Sequence, residues 1–285
     1  MNTNAPRTNE EQIALWNGSA GRAWVETQES LDRLFEPFEA VLGDIAAARR
    51  AQHVLDVGCG TGATTLAMAR RLAGEAALVG VDISAPMIEL ARQRAARAGA
   101  PARFVCADAQ THAFTPASFD LIVSRFGVMF FDDPVAAFVN LRRAARDDAA
   151  LRFIAWRSAG ENPFMTTAER AAAPLLPNLP ARQPGAPGQF AFADAAHVSR
   201  ILKESGWTAI ETRALDVECT LPESDLMFYL TRLGPVGLAL QDADDGTRTR
   251  VIDVLRTEFQ RYIEGDVVRF TAACWMVSAR GGVRS

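Results

Sequence analysis

At 285 residues the chain is long enough for one large α/β domain with insertions or for two modest domains. Its formal net charge of −4, without a lysine-rich or arginine-rich tract, gives no nucleic-acid footprint. The four cysteines, Cys59, Cys106, Cys219 and Cys274, stand too far apart for a zinc site or a disulfide framework, so no metal is expected and a reduced interior is the default. The first residues are polar, and no apolar run reaches the roughly 18 residues a membrane span needs, which predicts a soluble, cytoplasmic protein with no membrane partner.

Residues 10–50 carry Leu15, Trp16, Trp24, Leu31, Leu34, Phe35, Phe38, Val41, Leu42 and Ile45 at mostly helical spacing, a helical cap ahead of the core. From His53 strands and helices alternate. "HVLDVG" precedes a helix to about Leu72, "ALVGVDI" a helix from Pro86 to Ala98, and "ARFVCAD" is followed by "FDLIVSRFG"; a helix from Asp132 to Arg146 then leads into the strand "ALRFIAW". Short continuous apolar strands between helices of ten or more residues predict a parallel sheet covered on both faces. Residues 158–192 are rich in proline and glycine, which argues against a long regular element and suggests an insertion over the sheet edge. The helix "DAAHVSRILKESGW" ends at Gly206, the strand "TAIETRALDVECTL" follows, and helical segments near 223–240 and 246–263 precede a final strand near 267–279. The expected organisation is a single domain over 1–285, with a cap at 10–50, a cofactor half at 51–157, an insertion or lid at 158–192 and a C-terminal half at 193–285.

In an open parallel sheet ligands sit beyond the carboxyl ends of the strands, and the first strand-to-helix turn is the natural contact. That turn is "GCGTGA", with Gly58, Gly60 and Gly62 leaving the backbone bare beside a helix N-terminus. The spacing alone fits NAD as well as other adenosine ligands. Neighbouring acids discriminate. Asp82 ends the second strand about 20 residues on, where a carboxylate accepts from ribose hydroxyls, and Asp108, followed by Ala109 and Gln110, ends the third, within reach of an adenine amine. Asp56 adds a negative charge that repels a pyrophosphate and draws an amino group or a sulfonium.

The segments "LDVGCGTGATT", "GVDIS", "MIELAR", "FVCADAQ" and "FDLIVSRFGVMFF", in this order, resemble the class I S-adenosylmethionine-dependent methyltransferases, particularly the quinone-biosynthesis-like branch, over residues 51–157. The resemblance implies a Rossmann-like seven-stranded sheet in the order 3-2-1-4-5-7-6 with the last strand antiparallel. It also implies S-adenosylmethionine as cofactor and S-adenosylhomocysteine as product. Asp56 and the loop Gly58, Cys59, Gly60 and Gly62 would then hold the methionine part, Asp82 with Ile83 the ribose, and Asp108 with Ala109 the adenine. Met87 would pack nearby, and Ser124 would supply a backbone contact. An Asn-Asp-x-Met-Ser segment and an HR-x-W helix, features of the true quinone C-methyltransferases, are absent from the sequence.

For the acceptor, "RFGVMFF" offers Arg125, Phe126 and Met129 at the mouth of the sheet, and Phe164, Met165, Phe190 and Phe192 lie in the insertion; they wall either a pocket or plain core. Arg125 and Arg157 each need a partner, which is a substrate carboxylate or phenolate, or else Asp132, Asp133 or Glu161. Trp16 and Trp24, with Asn17 and Arg22, either fold over the cofactor or pack the cap. His112 is the candidate general base, against the commoner exposed loop histidine; His53 and His197 read as structural and surface residues. Cys59 lacks a cationic helper and reads as filler.

The expected activity is methyl transfer by in-line displacement to a small, largely apolar or aromatic acceptor, by a monomer or homodimer. A protein that binds the cofactor as a sensor is the alternative. An NAD-dependent oxidoreductase is disfavoured, because Asp56 stands where an apolar residue is required and Lys203 lacks a tyrosine four residues before it.

Overall fold

The computed structural model describes residues 9–180, 182 and 185–282. Three helices come first, α1 (Glu10–Asn17), α2 (Ser19–Glu26) and α3 (Gln28–Ala48). They are followed by β1 (His53–Val57), α4 (Ala63–Arg71), β2 (Ala77–Asp82), α5 (Ala85–Ala98), β3 (Ala102–Cys106) and β4 (Phe119–Arg125). A 3₁₀ turn at Gly127–Phe130 leads to α6 (Pro134–Ala144), β5 (Ala145–Trp156), α7 (Pro163–Ala172) and α8 (Ala195–Glu204). The chain closes with β6 (Trp207–Pro222), α9 (Glu223–Arg232), α10 (Gly234–Ala239), α11 (Asp245–Phe259), β7 (Ile263–Glu264) and β8 (Val267–Gly281).

The sheet runs β3-β2-β1-β4-β5-β8-β6, with the first five strands parallel and β8 antiparallel to both its neighbours. This is the expected order, with β8 as the seventh long strand. A two-residue strand, β7, adds an eighth by pairing with the start of β8 around Gly265, too short to leave a period in the sequence. The central strands are apolar on both faces because both are covered: Val54, Leu55, Leu121, Ile122, Val123, Leu151, Phe153 and Ile154 are all fully buried. One covering layer is α3, whose Leu31, Leu34, Phe35, Phe38 and Leu42 recur every three or four residues and face inward.

Two segments depart from the sequence reading. Residues 158–192 hold a ten-residue helix, α7, because Pro163 presets its first turn and Ala-rich sequence carries it to Ala172, two residues before Pro174. The helix expected to reach Arg146 stops at Ala144, and β5 begins at the next residue, where Ala145 pairs with Phe119.

The parallel strands all point their carboxyl ends the same way, which collects the turns after β1, β2, β3 and β4 on one rim. Two of those turns touch. Gly58 has φ +67°, and a Cβ there would meet the Gly127 Cα at 2.5 Å; a Cβ on Gly127 would meet the Gly58 Cα at 2.6 Å and the Val57 carbonyl oxygen at 2.7 Å. The obstacles are backbone and cannot swing aside. Gly127→Ala is therefore expected to destabilise the protein by about 1–3 kcal/mol or more, read by urea unfolding. A midpoint equal to that of the parent protein would show that the two turns are not in contact.

Candidate functional site

Beyond the carboxyl ends of the strands lies a cavity of about 810 Å³, within the range of small-molecule sites, walled by the β1, β2, β3 and β4 turns, the cap helices and α7, α9 and α10. Asp82 is its fixed point. One carboxylate oxygen accepts from the Gly60 N–H at 2.8 Å and the other from the Ser84 N–H at 2.9 Å. Burial raises the Asp82 pKa, while these backbone donors pull it back toward the ionised form. Asp108 lines the same wall two residues past β3, its carboxylate accepting from the Gln110 N–H at 2.9 Å. Between them the loop stays open, since a Cβ added at Gly60, where φ is +54°, would touch only the Met87 sulfur at 3.6 Å. Gly58, Cys59, Gly60, Ile83, Met87 and Ala109 also line the cavity.

The cap is fastened to the same rim. Ser84 Oγ donates to the Trp16 carbonyl at 2.6 Å, Asn17 Nδ2 donates to the Ile83 carbonyl at 3.0 Å, and the Ala85 N–H donates to Asn17 Oδ1 at 2.8 Å. Trp16 and Trp24 therefore reach the cavity, where Trp16 packs edge-on against Trp24 at 6.0 Å and against Phe130 at 5.1 Å. Away from the acidic rim part of the wall is aromatic. Phe126 stacks on Trp156 with 4.7 Å between centroids, and Phe164 stacks on Phe270 at 3.8 Å. Met129, Met165 and Tyr229 complete this part. Among the described residues the Tyr229 hydroxyl meets the Met165 sulfur, at 3.7 Å, and burial pushes its pKa up.

Several expected residues stand behind the wall rather than on it. Asp56 is 1% exposed and accepts from Thr65 Oγ1 at 2.6 Å. It pairs in register with Gly80, two residues before Asp82, and so sits one pleat deeper in the sheet. Burial lifts its pKa to about 6 against the pull of Thr65 and Arg125. Ser124 donates to the Val57 carbonyl at 2.7 Å and accepts from the Val128 N–H at 3.3 Å, bracing β1 against β4. Gln110 accepts from the Asp133 N–H at 2.9 Å, and Gly62 caps α4.

Arg157 is turned away, paired with Glu161 at 3.0 Å and Asp216 at 2.9 Å. His112 also lies off the cavity wall, its ring edge-on to Phe114 at 4.7 Å and its carbonyl accepting from Asn140 at 2.9 Å, a poor position for a base. Phe192 belongs to the core with Phe138 and Phe153, and Phe190 carries the Arg182 guanidinium on its ring. Burial raises the Cys59 thiol well above its ordinary range, so a reactive thiolate does not form there.

Other wall residues had no sequence signal. Asp32 and Phe35 come from α3, and Arg94 joins them to the loop by pairing with Asp32 and donating to the Thr61 carbonyl at 2.8 Å. In a single sequence the apolar stripe of α3 reads as core alone. Tyr229 and the α10 residues Pro235, Val236 and Leu238 arrive from the far half of the chain, where no motif announces them.

Below the floor, Glu39 of α3 is buried with its Oε1 lacking any hydrogen-bond partner among the described residues. Burial, only partly offset by the Arg125 charge, lifts its pKa to about 7. A raised carboxylate contributes stability that is full below its unfolded value of 4.5 and is lost as pH climbs through about 7. Glu39→Gln should therefore raise stability at pH 8 by up to roughly 3 kcal/mol and change it little near pH 4, as followed by thermal unfolding across pH. Equal melting curves at pH 8 would show that the group ionises without penalty.

Among the described residues no cluster of histidine, cysteine and acidic side chains could hold a metal ion, and no helix is long and apolar enough to cross a membrane.

Residues 54–148 match the family model described as a methyltransferase domain. The chain is similar to aklanonic acid methyltransferase DauC of Streptomyces sp. (strain C5), with 31% identity over 134 residues, 45% of this chain and 61% of that protein. It is similar to a demethylmenaquinone methyltransferase of Lactiplantibacillus plantarum, with 34% identity over 101 residues, 35% of this chain and 43% of that protein. The chain thus spans about half the length of these curated relatives. Among solved structures it is similar to the YcgJ protein from Bacillus subtilis, with a TM-score of 0.56 and 16% identity over 86% of this chain and 98% of that one, a likeness of fold.

Proposed function

We infer, from the premise that residues 54–148 place the chain among the class I S-adenosylmethionine-dependent methyltransferases, that it methylates a small, largely apolar or aromatic acceptor and releases S-adenosylhomocysteine. The observation that carries this reading is the pairing of Asp82 and Asp108 on one rim of a cavity that also carries a cluster of aromatic side chains. The residues present fit the nucleoside. Asp82 has lone pairs to spare for ribose hydroxyls, Asp108 and Ala109 stand one strand further for the adenine, and the bare face at Gly60 admits a ligand without a Cβ in the way. Gly58, Cys59 and Thr61 flank the methionine part, and Ile83 and Met87 pack along the sugar.

When bound, S-adenosylmethionine supplies an electrophilic methyl carbon, whose bond to sulfur breaks as its bond to the acceptor forms. The work left to the chain is positioning and exclusion of water. Trp16, Trp24 and Phe130 close one side, and Phe126, Met129, Phe164 and Tyr229 hold the acceptor on the other. No histidine takes part in this reading, since placement of a nucleophile against so strong an electrophile suffices when the acceptor is already ionised or is a free amine. Asp56, Ser124, Gln110 and Gly62 act from behind, shaping the rim. The whole chain works as one unit, with 10–50 as cap and 158–192 as lid.

S-adenosylhomocysteine at about 100 times its Kd should stabilise the protein by roughly 2.7 kcal/mol in a thermal-shift assay, while NAD should not. Asp82→Ala should weaken that binding at least about tenfold with the far-ultraviolet circular dichroism preserved. Stabilisation by NAD alone would overturn the reading. Turnover of labelled S-adenosylmethionine with a panel of aromatic acceptors then separates an enzyme from a sensor.

A further inference from the structure

The aromatic part of the cavity holds one cation of unusual standing. Arg125 ends β4 on the cavity wall, half-buried, with its Nε donating to Thr64 Oγ1 at 3.0 Å. Its guanidinium carbon lies 5.1 Å from the Phe35 ring centre and 6.0 Å from that of Phe126. Thr64 and the two rings fix the group in place, yet they use only Nε, so the two terminal amines make no hydrogen bond to a described residue. The other arginines of the wall are matched: Arg182 pairs with Glu169 at 2.5 Å and Arg232 with Glu26 at 3.8 Å. No described carboxylate comes within ion-pair distance of Arg125.

The acids nearest to it are otherwise engaged. Asp56 accepts from Thr65 beneath the loop, and Glu39, held up at about 7 by burial, gives only a partial counter-charge at neutral pH. A partly desolvated guanidinium without a carboxylate is costly, and its free edge presents a planar pair of donors that matches an oxyanion in two-point contact. Phe126 and Trp156, stacked 12° from parallel and nearly fully buried, also line the cavity and make the surroundings of that edge apolar.

We propose that Arg125 receives an oxyanion of the methyl acceptor, which makes the acceptor class a planar aromatic ring bearing a carboxylate or an ionised phenol. This rests on the methyltransferase reading above. Arg125 then sets specificity through binding, anchoring the ring against Phe126 while the atom to be methylated faces the acidic rim. A neutral ring of the same shape leaves the guanidinium unpaired and binds less well.

The test uses the full chain saturated with S-adenosylhomocysteine, titrated calorimetrically with benzoate and 2-naphthoate and with their primary amides. The parent protein should prefer at least one acid over its amide by about tenfold or more, a difference of about 1.4 kcal/mol. Arg125→Gln should abolish that preference while holding S-adenosylhomocysteine within about twofold of the parent, which also shows that the variant is folded. Arg125→Lys should keep part of the preference. A parent complex indifferent to acid and amide overturns the proposal. So does an Arg125→Gln variant that loses S-adenosylhomocysteine instead, because the guanidinium then serves the carboxylate of the cofactor. Failure of the parent protein to bind S-adenosylhomocysteine at all would remove the methyltransferase reading itself, a separate result.

Discussion

One carboxylate joins the parts of this molecule that matter for its chemistry. Asp82 accepts from Gly60 in the turn after β1 and from Ser84 in the turn after β2, and Ser84 in turn donates to the Trp16 carbonyl of the cap. A glycine loop, a strand end and an N-terminal helix are thereby held in one frame around the cavity. The frame costs burial of a charge, visible in the raised pKa of Asp82, and the backbone donors that define the frame are the same groups that keep the charge tolerable. Close contact between Gly58 and Gly127 fixes the opposite side of the loop against β4, so the loop is clamped from both flanks.

Charge is distributed in layers around this frame. On the rim stand Asp82 and Asp108, open to the cavity, and one pleat below lies Asp56, satisfied by Thr65. Arg125 stands at the boundary between the acidic rim and the aromatic wall, with Glu39 beneath it. A cationic nucleoside suits the acidic rim, and an anionic ring suits the guanidinium. Two ligands of opposite sign in one low-dielectric cavity attract each other more strongly than they would in water, which favours their reactive approach.

Much of this was legible in the sequence, and the failures have physical causes. The alternation of apolar runs with helices and the rule that ligands meet the carboxyl ends of parallel strands pointed to a parallel sheet and to Gly60, Asp82 and Asp108 on its rim, while the strand order and Met87 came from the family resemblance. Asp56 lies within β1, one residue before its end, and the alternation of side chains along a strand turns it toward Thr65 in the interior rather than onto the cavity wall. Arg157 resembled Arg125 in sequence, and of its two readings the pairing with Glu161 holds; Asp216 on the distant strand β6 adds a second partner that no local pattern reveals. Tyr229, Asp32 and Phe35 were invisible as site residues because their helices carry ordinary amphipathic patterns, and only the packing of those helices over the rim gives them a role. Helix α7 hid within a stretch interrupted by prolines, although Met165 and the run Ala168, Glu169, Arg170, Ala171 and Ala172 are good helix formers.

The most direct test of the central claim is a crystal structure of the chain with S-adenosylhomocysteine bound. The ribose hydroxyls should lie within hydrogen-bond distance of the Asp82 carboxylate with the adenine beside Asp108 and Ala109, and the bond from Gly60 to Asp82 should persist. A nucleoside found outside this rim, or an Asp82 left without a sugar contact, would contradict the account.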